Sequence, residues 1–280
     1  MTIQLIVIDM DETFLRADKT YNQDKASTIF SKLEKQGVVV AIASGNFVPL
    51  LESYFEDDIL KDVYLAGDDG NVLQAADEII RTLPLEPSDA EDVYHFSKEK
   101  NGYYPIISTG KHAYVRGPVN EWADEQIRLY FGDYTLIDSF DDVPNPANIA
   151  KMEMLSEHPL DENKQVMDQI EEDFPGVSSV TSGDEWLDIY HKDGGKGEAV
   201  KFLQDKYEIS KEETMCFGDS LNDLSMMKEA KYSMAMKNAD EDLKVHCSYE
   251  IGSNEEQSVL AILEEFIEKE YAEFLEAYKK

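Results

Sequence analysis

Two aspartates, Asp9 and Asp11, stand at the end of the apolar run Leu5-Ile6-Val7-Ile8. If that strand persists, side chains at i and i+2 share a face, and both carboxylates can address one ion or substrate. If the chain turns after Asp9, Asp11 can present its backbone carbonyl to the ion and keep its carboxylate free. Taken alone, the pair could equally be an acidic turn after a strand. Polar groups recur in matching places downstream. Val38-Val39-Val40-Ala41-Ile42-Ala43 is a second apolar run, ending at Ser44-Gly45-Asn46. Thr214-Met215-Cys216-Phe217 is a third, ending at Gly218-Asp219-Ser220-Leu221-Asn222-Asp223. Gly194-Gly195-Lys196-Gly197 opens a helical pattern with Ala199, Phe202 and Leu203 on one side. A hydroxyl, a lysine and a second acidic group thus lie at strand exits or at a helix start. Open α/β sheets build their sites at that rim.

The elements that must position these groups are legible in outline. Asn22 can cap a helix whose Ala26, Ile29, Phe30 and Leu33 recur at helical spacing, and Gly37 sits where its C-terminal cap is expected. Strand, helix and strand in that order predict a parallel crossover. A further strand near Val63-Tyr64-Leu65-Ala66 ends at the turn Gly67-Asp68-Asp69-Gly70-Asn71. The texture changes from about Leu83. All prolines but Pro49 fall between Pro84 and Pro175, and strand-like pieces such as Tyr103-Tyr104-Pro105-Ile106-Ile107-Ser108 alternate with helical ones. Residues 83–188 are therefore expected to form an inserted α+β domain. The first fold resumes near Leu187-Asp188-Ile189, so that 1–82 and 189–280 make one discontinuous core. That core continues through the Lys196 helix, the Cys216 strand, a helix with Leu221, Leu224 and Met227, and a C-terminal helix carrying Val259, Ile262, Leu263, Phe266 and Ile267.

The motifs Asp9-Met10-Asp11-Glu12-Thr13, Ser44, Lys196-Gly197 and Gly218-Asp219-Ser220-Leu221-Asn222-Asp223 appear in the order and with the gaps of a known family. The chain resembles a haloacid-dehalogenase (HAD) superfamily phosphatase, most closely the Cof-type branch that dephosphorylates small metabolites. Met236-Lys237-Asn238-Ala239 is similar to a loop of that branch, and so, more loosely, is the Gly67 turn. The resemblance implies an α/β fold: a Rossmann-like parallel-sheet core with an inserted α+β cap folding over the active site. It implies a phosphoric monoester hydrolase acting through an aspartyl-phosphate. Asp9 would attack, and Asp11 would protonate the leaving group and then activate water. Mg²⁺ suits the hard oxygen donors, with Asp9, Asp219 and the Asp11 backbone carbonyl as ligands. Ser44, the Gly45 backbone N–H, Lys196 and Asn222 would hold the phosphate, with Asp223 behind them, holding a metal-bound water or Lys196. Lys192 is the alternative to Lys196.

Composition sets the bounds. The 280 residues carry 59 Asp+Glu against 26 Lys+Arg, a formal net charge of −33. Such a field repels nucleic acid and anionic lipid, which excludes both as partners, and a well-solvated surface is preferred to adaptation to high salt. A phosphate ester therefore needs a cation and a lysine to reverse the local potential. Cys216 and Cys247 lie in apolar runs and read as buried thiols in a reducing compartment. No apolar run reaches membrane length and the N-terminus lacks secretory features, so a cytoplasmic location is expected. Oligomeric state leaves no mark in the sequence, and a monomer is compatible with it. The five histidines form no ligand spacing.

Three positions depart from the family pattern. Glu12 replaces a usual glycine, Asn46 a common arginine, and Lys237 a common glycine. A phosphomutase or phosphotransferase of the same superfamily, sharing the aspartyl-phosphate, stays open, and Glu12 leaves open a non-catalytic phosphate-binding regulator. The substrate class is expected to be a sugar phosphate, nucleotide or cofactor phosphate. The basic trio Lys111, His112 and Arg116 offers cap contacts by guesswork alone, a solvated hairpin turn being the plainer reading.

Overall fold

The structure is a computed structural model that describes residues 3–181, 185–269 and 272–280; positions 182–184 of the expected insertion and 270–271 of the expected core lie outside it. The first block of the chain holds β1 (Leu5–Asp9), α1 (Gln23–Lys35), β2 (Val39–Ala43), α2 (Val48–Ser53), α3 (Asp57–Leu60), β3 (Tyr64–Gly67), β4 (Val72–Ala75) and β5 (Glu78–Thr82). A middle block follows with α4 (Pro87–Lys98), β6 (Tyr103–Ser108), β7 (Ala113–Arg116), α5 (Glu121–Phe131), β8 (Thr135–Ile137), β9 (Lys151–Ser156), α6 (Leu160–Asp173), β10 (Val177–Thr181) and β11 (Trp186–His191). The last block holds α7 (Lys196–Tyr207), β12 (Thr214–Gly218), α8 (Leu224–Lys228), β13 (Tyr232–Ala235), α9 (Glu241–Lys244), β14 (Tyr249–Glu250) and α10 (Ser258–Lys269).

Every residue of β1 is buried, as a strand covered by helices on both faces must be. It pairs in parallel with β2 on one side, Leu5 opposite Val39, and with β12 on the other, Leu5 opposite Thr214. The crossover between β1 and β2 is α1, whose Asn22 side chain accepts from the Lys25 backbone N–H and whose Ala26, Ile29, Phe30 and Leu33 are buried. The full order is β14-β13-β12-β1-β2-β3-β4-β5. Because the chain runs outward from β1 in both directions, β1 is the point at which a crevice opens beyond the strand ends. Beyond β3 the sheet turns antiparallel. The sequence reading placed β3 and its turn but not β4 and β5, which deliver the chain to the cap.

The cap is a six-stranded sheet, ordered β10-β11-β9-β6-β7-β8, antiparallel except between β7 and β8. Its strand β11 corrects the expected boundary at 188. Leu187 pairs with Met154 of β9 and with Thr181 of β10, so the whole of Trp186–His191 belongs to the cap sheet. A short buried run fits either sheet by composition, and only strand pairing assigns it. The return to the core therefore falls in the turn at 192–195. The helix expected from Leu221 also starts later: 221–223 form a tight turn and Leu221 is 48% exposed.

Cap and core touch through apolar side chains. Phe47, from the loop after β2, lies 5.3 Å from the Phe131 ring centroid at the end of α5. Val48 and Val72 of the core pack with Ala150 before β9. No described helix is long and apolar enough to cross a membrane, and Cys216 and Cys247 are buried free thiols.

Candidate active site

Asp9 ends β1, and the chain turns there. Asp11 has φ −76° and ψ 135°, and Glu12 sits in the left-handed region at φ 55° and ψ 5°. The strand does not persist, so the two carboxylates do not share a strand face. A glycine suits such a φ without steric cost; here Glu12 occupies it, held by Asn238 Nδ2 donating to its carbonyl (2.8 Å) and Asn254 Nδ2 to its carboxylate (3.2 Å). The loop 236–239 thus supports the turn that carries Asp11.

Asp9 and Asp219 leave neighbouring strands at one rim, where α7 begins, and Ser44 leaves β2 on the far side of β1. Lys196 Nζ donates to Asp9 Oδ1 and Asp223 Oδ1, each at 2.6 Å, and to Asn222 Oδ1 at 3.3 Å. The lysine is 1% exposed, which discards the solvent-facing Lys192 as its substitute. Asp223 Oδ2 accepts from the backbone N–H groups of Asp219 (2.9 Å) and Ser220 (3.2 Å). Gly218 makes room for this, since a Cβ there would lie 2.4 Å from Asp223 Oδ2. Thr13 Oγ1 donates to Asp219 Oδ1 at 2.9 Å. Carboxylate oxygens of Asp9, Asp219 and Asp223 fall within 4.8 Å of one another.

Electrostatics follow from this crowding. Burial lifts the Asp9 carboxyl well above the usual carboxylate range, Asp223 and Asp219 add to it, and Lys196 opposes it. Burial and Asp223 push Asp219 up to about 7. Burial weakens the charge on Lys196, but Asp223 and Asp9 outweigh it and hold the ammonium firmly protonated. Three carboxylates against one ammonium leave an excess of negative charge. With oxygen donors alone, that cluster fits a hard divalent cation. Both Asp223 oxygens are already engaged by the lysine and by backbone donors, which leaves Asp9 and Asp219 as the carboxylates able to face such an ion.

Above the cluster lies a cavity of about 360 Å³, lined from the core by Asp9, Asp11, Ser44, Asn46, Lys196 and Asp219, among others. Gly45 and Asn222 also line it. Asp11 accepts from Lys19 Nζ at 2.7 Å and from Asn46 Nδ2 at 2.8 Å. Asn46, flagged above as a departure, thus positions a carboxylate. The cap supplies Tyr130, Phe131, Glu153, Trp186 and Asp188. Lys111, His112 and Arg116 do not line the cavity: they bond to Asp77 O, Thr135 Oγ1 and Gly117 O.

The sequence reading missed a second buried lysine. Lys151, the first residue of β9, donates to the Gly45 carbonyl (2.7 Å), to Asp188 Oδ1 (2.9 Å) and to Asp69 Oδ2 (3.2 Å), and it also pairs with Glu153. A lysine and a glutamate inside the otherwise apolar Ile149-Ala150-Lys151-Met152-Glu153-Met154-Leu155 were the available signal. Asp68 and Asp69 lie beneath them in the turn after β3, both at positive φ. In that turn a Cβ on Gly70 would come within 2.9 Å of the Lys196 Cα, so the turn packs directly on the start of α7.

Against known proteins, the family described as haloacid dehalogenase-like hydrolase matches residues 6–263. A 5-amino-6-(5-phospho-D-ribitylamino)uracil phosphatase of Escherichia coli (strain K12) is 26% identical, over 96% of this chain and 98% of that protein. A phosphoglycolate phosphatase of Staphylothermus marinus is 25% identical, over 95% and 99%. A crystal structure from Streptococcus mutans UA159 superposes with a TM-score of 0.87 at 26% identity, covering 95% of this chain and 100% of that one. The chain belongs to the haloacid dehalogenase-like hydrolase family, as one of its phosphatases.

Proposed function

We propose that the protein hydrolyses a small phosphorylated metabolite in two steps through an aspartyl-phosphate on Asp9, with Mg²⁺ as cofactor. The observation that carries this is the buried Lys196 ammonium, 2.6 Å from both Asp9 and Asp223 at the meeting point of β1 and β12. A lysine so held neutralises the phosphoryl oxygens at the place where Asp9 can reach phosphorus. Ser44 Oγ and the Gly45 N–H donate to the same oxygens, and Asn222 holds the lysine on its far side. Asp9, Asp219 and the Asp11 backbone carbonyl would hold Mg²⁺, which would supply further charge neutralisation there.

In the first step an Asp9 carboxylate oxygen forms a bond to phosphorus as the bond to the leaving oxygen breaks. Asp11 gives that oxygen its proton. In the second step the Asp11 carboxylate takes a proton from water, the water oxygen attacks phosphorus, and the Asp9 carboxylate departs, releasing phosphate. Lys19 and Asn46 fix the Asp11 carboxylate for both steps. The test is turnover of a panel of phosphate esters with Mg²⁺. Release of phosphate from p-nitrophenyl phosphate is expected, and Asp9→Asn abolishes it; an Asp9→Asn protein as active as wild type contradicts the assignment.

A further inference from the structure

The cavity has two chemically different walls. The core wall carries the reacting groups and Lys196. The cap wall carries the rings of Tyr130, Phe131 and Trp186, joined from the core by Phe47. These rings form one aromatic surface: Tyr130 and Trp186 have centroids 4.8 Å apart at 63°, and Phe131 lies 6.3 Å from Trp186. Such a surface receives a flat ring better than a polyhydroxylated chain.

The same wall is acidic. Glu153 borders the cavity and is 4% exposed, with one carboxylate oxygen against Lys151 and the other, Oε2, without a hydrogen-bond partner among the described residues. A buried carboxylate oxygen without a donor is costly unless something supplies one. Around it, the cavity lining holds Asp9, Asp11, Glu12, Asp188 and Asp219 against only Lys19 and Lys196 as cations. With Lys196 committed to the phosphoryl group, a second anionic group on the substrate faces Glu153 and Asp188 on the cap wall, whose buried partner Lys151 is already shared between them.

We propose that Glu153 is a specificity-determining residue: it accepts a hydrogen bond from the leaving group, and the substrate's leaving group ends in a flat ring bearing N–H donors and no negative charge. This rests on the phosphatase reading above and narrows it. Amino- or amide-substituted heterocycles meet both requirements, and short anionic esters meet neither. When a substrate N–H occupies Glu153, its ionised form is stabilised and the carboxyl group no longer lacks a partner.

The test compares kcat/KM for 5-amino-6-(5-phospho-D-ribitylamino)uracil and for phosphoglycolate, with p-nitrophenyl phosphate as the reference ester. The expected ratio favours the aminouracil ester at least 100-fold, and Glu153→Gln lowers that ratio at least tenfold. A ratio is read because general damage to the fold or to catalysis lowers both substrates together. Should Glu153→Gln not fold, Tyr130→Leu, which leaves the Lys151 pairs intact, is expected to lower the same ratio at least fivefold. Preference for phosphoglycolate, or an unchanged ratio in the variant, overturns the inference while hydrolysis of p-nitrophenyl phosphate keeps the phosphatase reading. Absence of p-nitrophenyl phosphate hydrolysis in wild type overturns both.

Discussion

Among the described residues, two lysines are buried to within 1% of their surface, and each is ringed by carboxylates. Lys196 holds Asp9 and Asp223 at the rim of the core sheet; Lys151 holds Asp69, Asp188 and Glu153 between cap and core. The difference lies in how the carboxylates are gathered, since Glu153 and Asp188 also border the cavity. Around Lys196, carboxylate oxygens converge within 4.8 Å, and Asp9 and Asp219 among them border the cavity, a geometry that a divalent ion or a phosphoryl group can complete. Around Lys151 the carboxylates come from three elements, Asp69 from the turn after β3, Glu153 from β9 and Asp188 from β11. Their lysine also grips the Gly45 carbonyl beside Ser44. The same pairing chemistry therefore gathers the proposed reacting groups in one place and ties the cap to the loop after β2 in the other.

The sharpest way to break that contrast is to remove each lysine. Lys196→Met is expected to lower kcat/KM about 10²–10³-fold, the scale of losing one preorganised electrostatic contact, and Mg²⁺ should restore much of its lost thermal stability. Lys151→Met leaves three buried carboxylates without their cation, which costs about 3–5 kcal/mol. Urea unfolding should show that loss, and Mg²⁺ should not repair it. Equal rescue of both variants would erase the distinction.

A pH-dependent contrast comes next in size. Burial pushes Asp68 up to about 6, with Lys151 opposing. A carboxyl raised above its unfolded value of about 3.9 favours the folded state fully below that pH, and the benefit is lost as pH rises through about 6. Asp68→Asn removes the charge that must then be buried. It is expected to raise stability by roughly 2 kcal/mol at pH 8 and to change it little at pH 4, read from denaturation midpoints. A gain at pH 4 equal to that at pH 8 would contradict the assignment. The smallest effect is at Glu12, whose φ of 55° penalises any side chain. Glu12→Gly should stabilise by about 0.5 kcal/mol, because relief of the left-handed strain exceeds the lost contact with Asn254 and the added freedom of the unfolded chain. A fall in Tm would show that the Asn254 contact dominates.

What could be read from the sequence was what a parallel sheet imposes locally. Asp9, Ser44 and Asp219 were visible because each follows an apolar run, and the ends of such runs share one rim. Gly37 and Asn22 were visible because turns and caps have their own residue preferences, whereas Glu12 stood out only as a departure from the glycine of the family pattern. What escaped depended on contacts between distant segments. Lys151 and Glu153 look like interruptions in a strand until Asp69 and Asp188, from elsewhere in the chain, close around them. Trp186–His191 could not be assigned to a sheet, since burial on both faces erases the alternation that would reveal its neighbours. The basic trio near Lys111 falls on and beside the hairpin turn that was its plainer reading, and its bonds lead away from the cavity.

The measurement that tests the account most directly is chemical trapping of the covalent intermediate. The protein is quenched during turnover of p-nitrophenyl phosphate with Mg²⁺ and reduced with borohydride, and the peptide containing Asp9 is sequenced by mass spectrometry. Reduction of the Asp9 side chain to the corresponding alcohol is expected only when substrate was present. Turnover with Asp9 unmodified, or with the label on another residue, would contradict it.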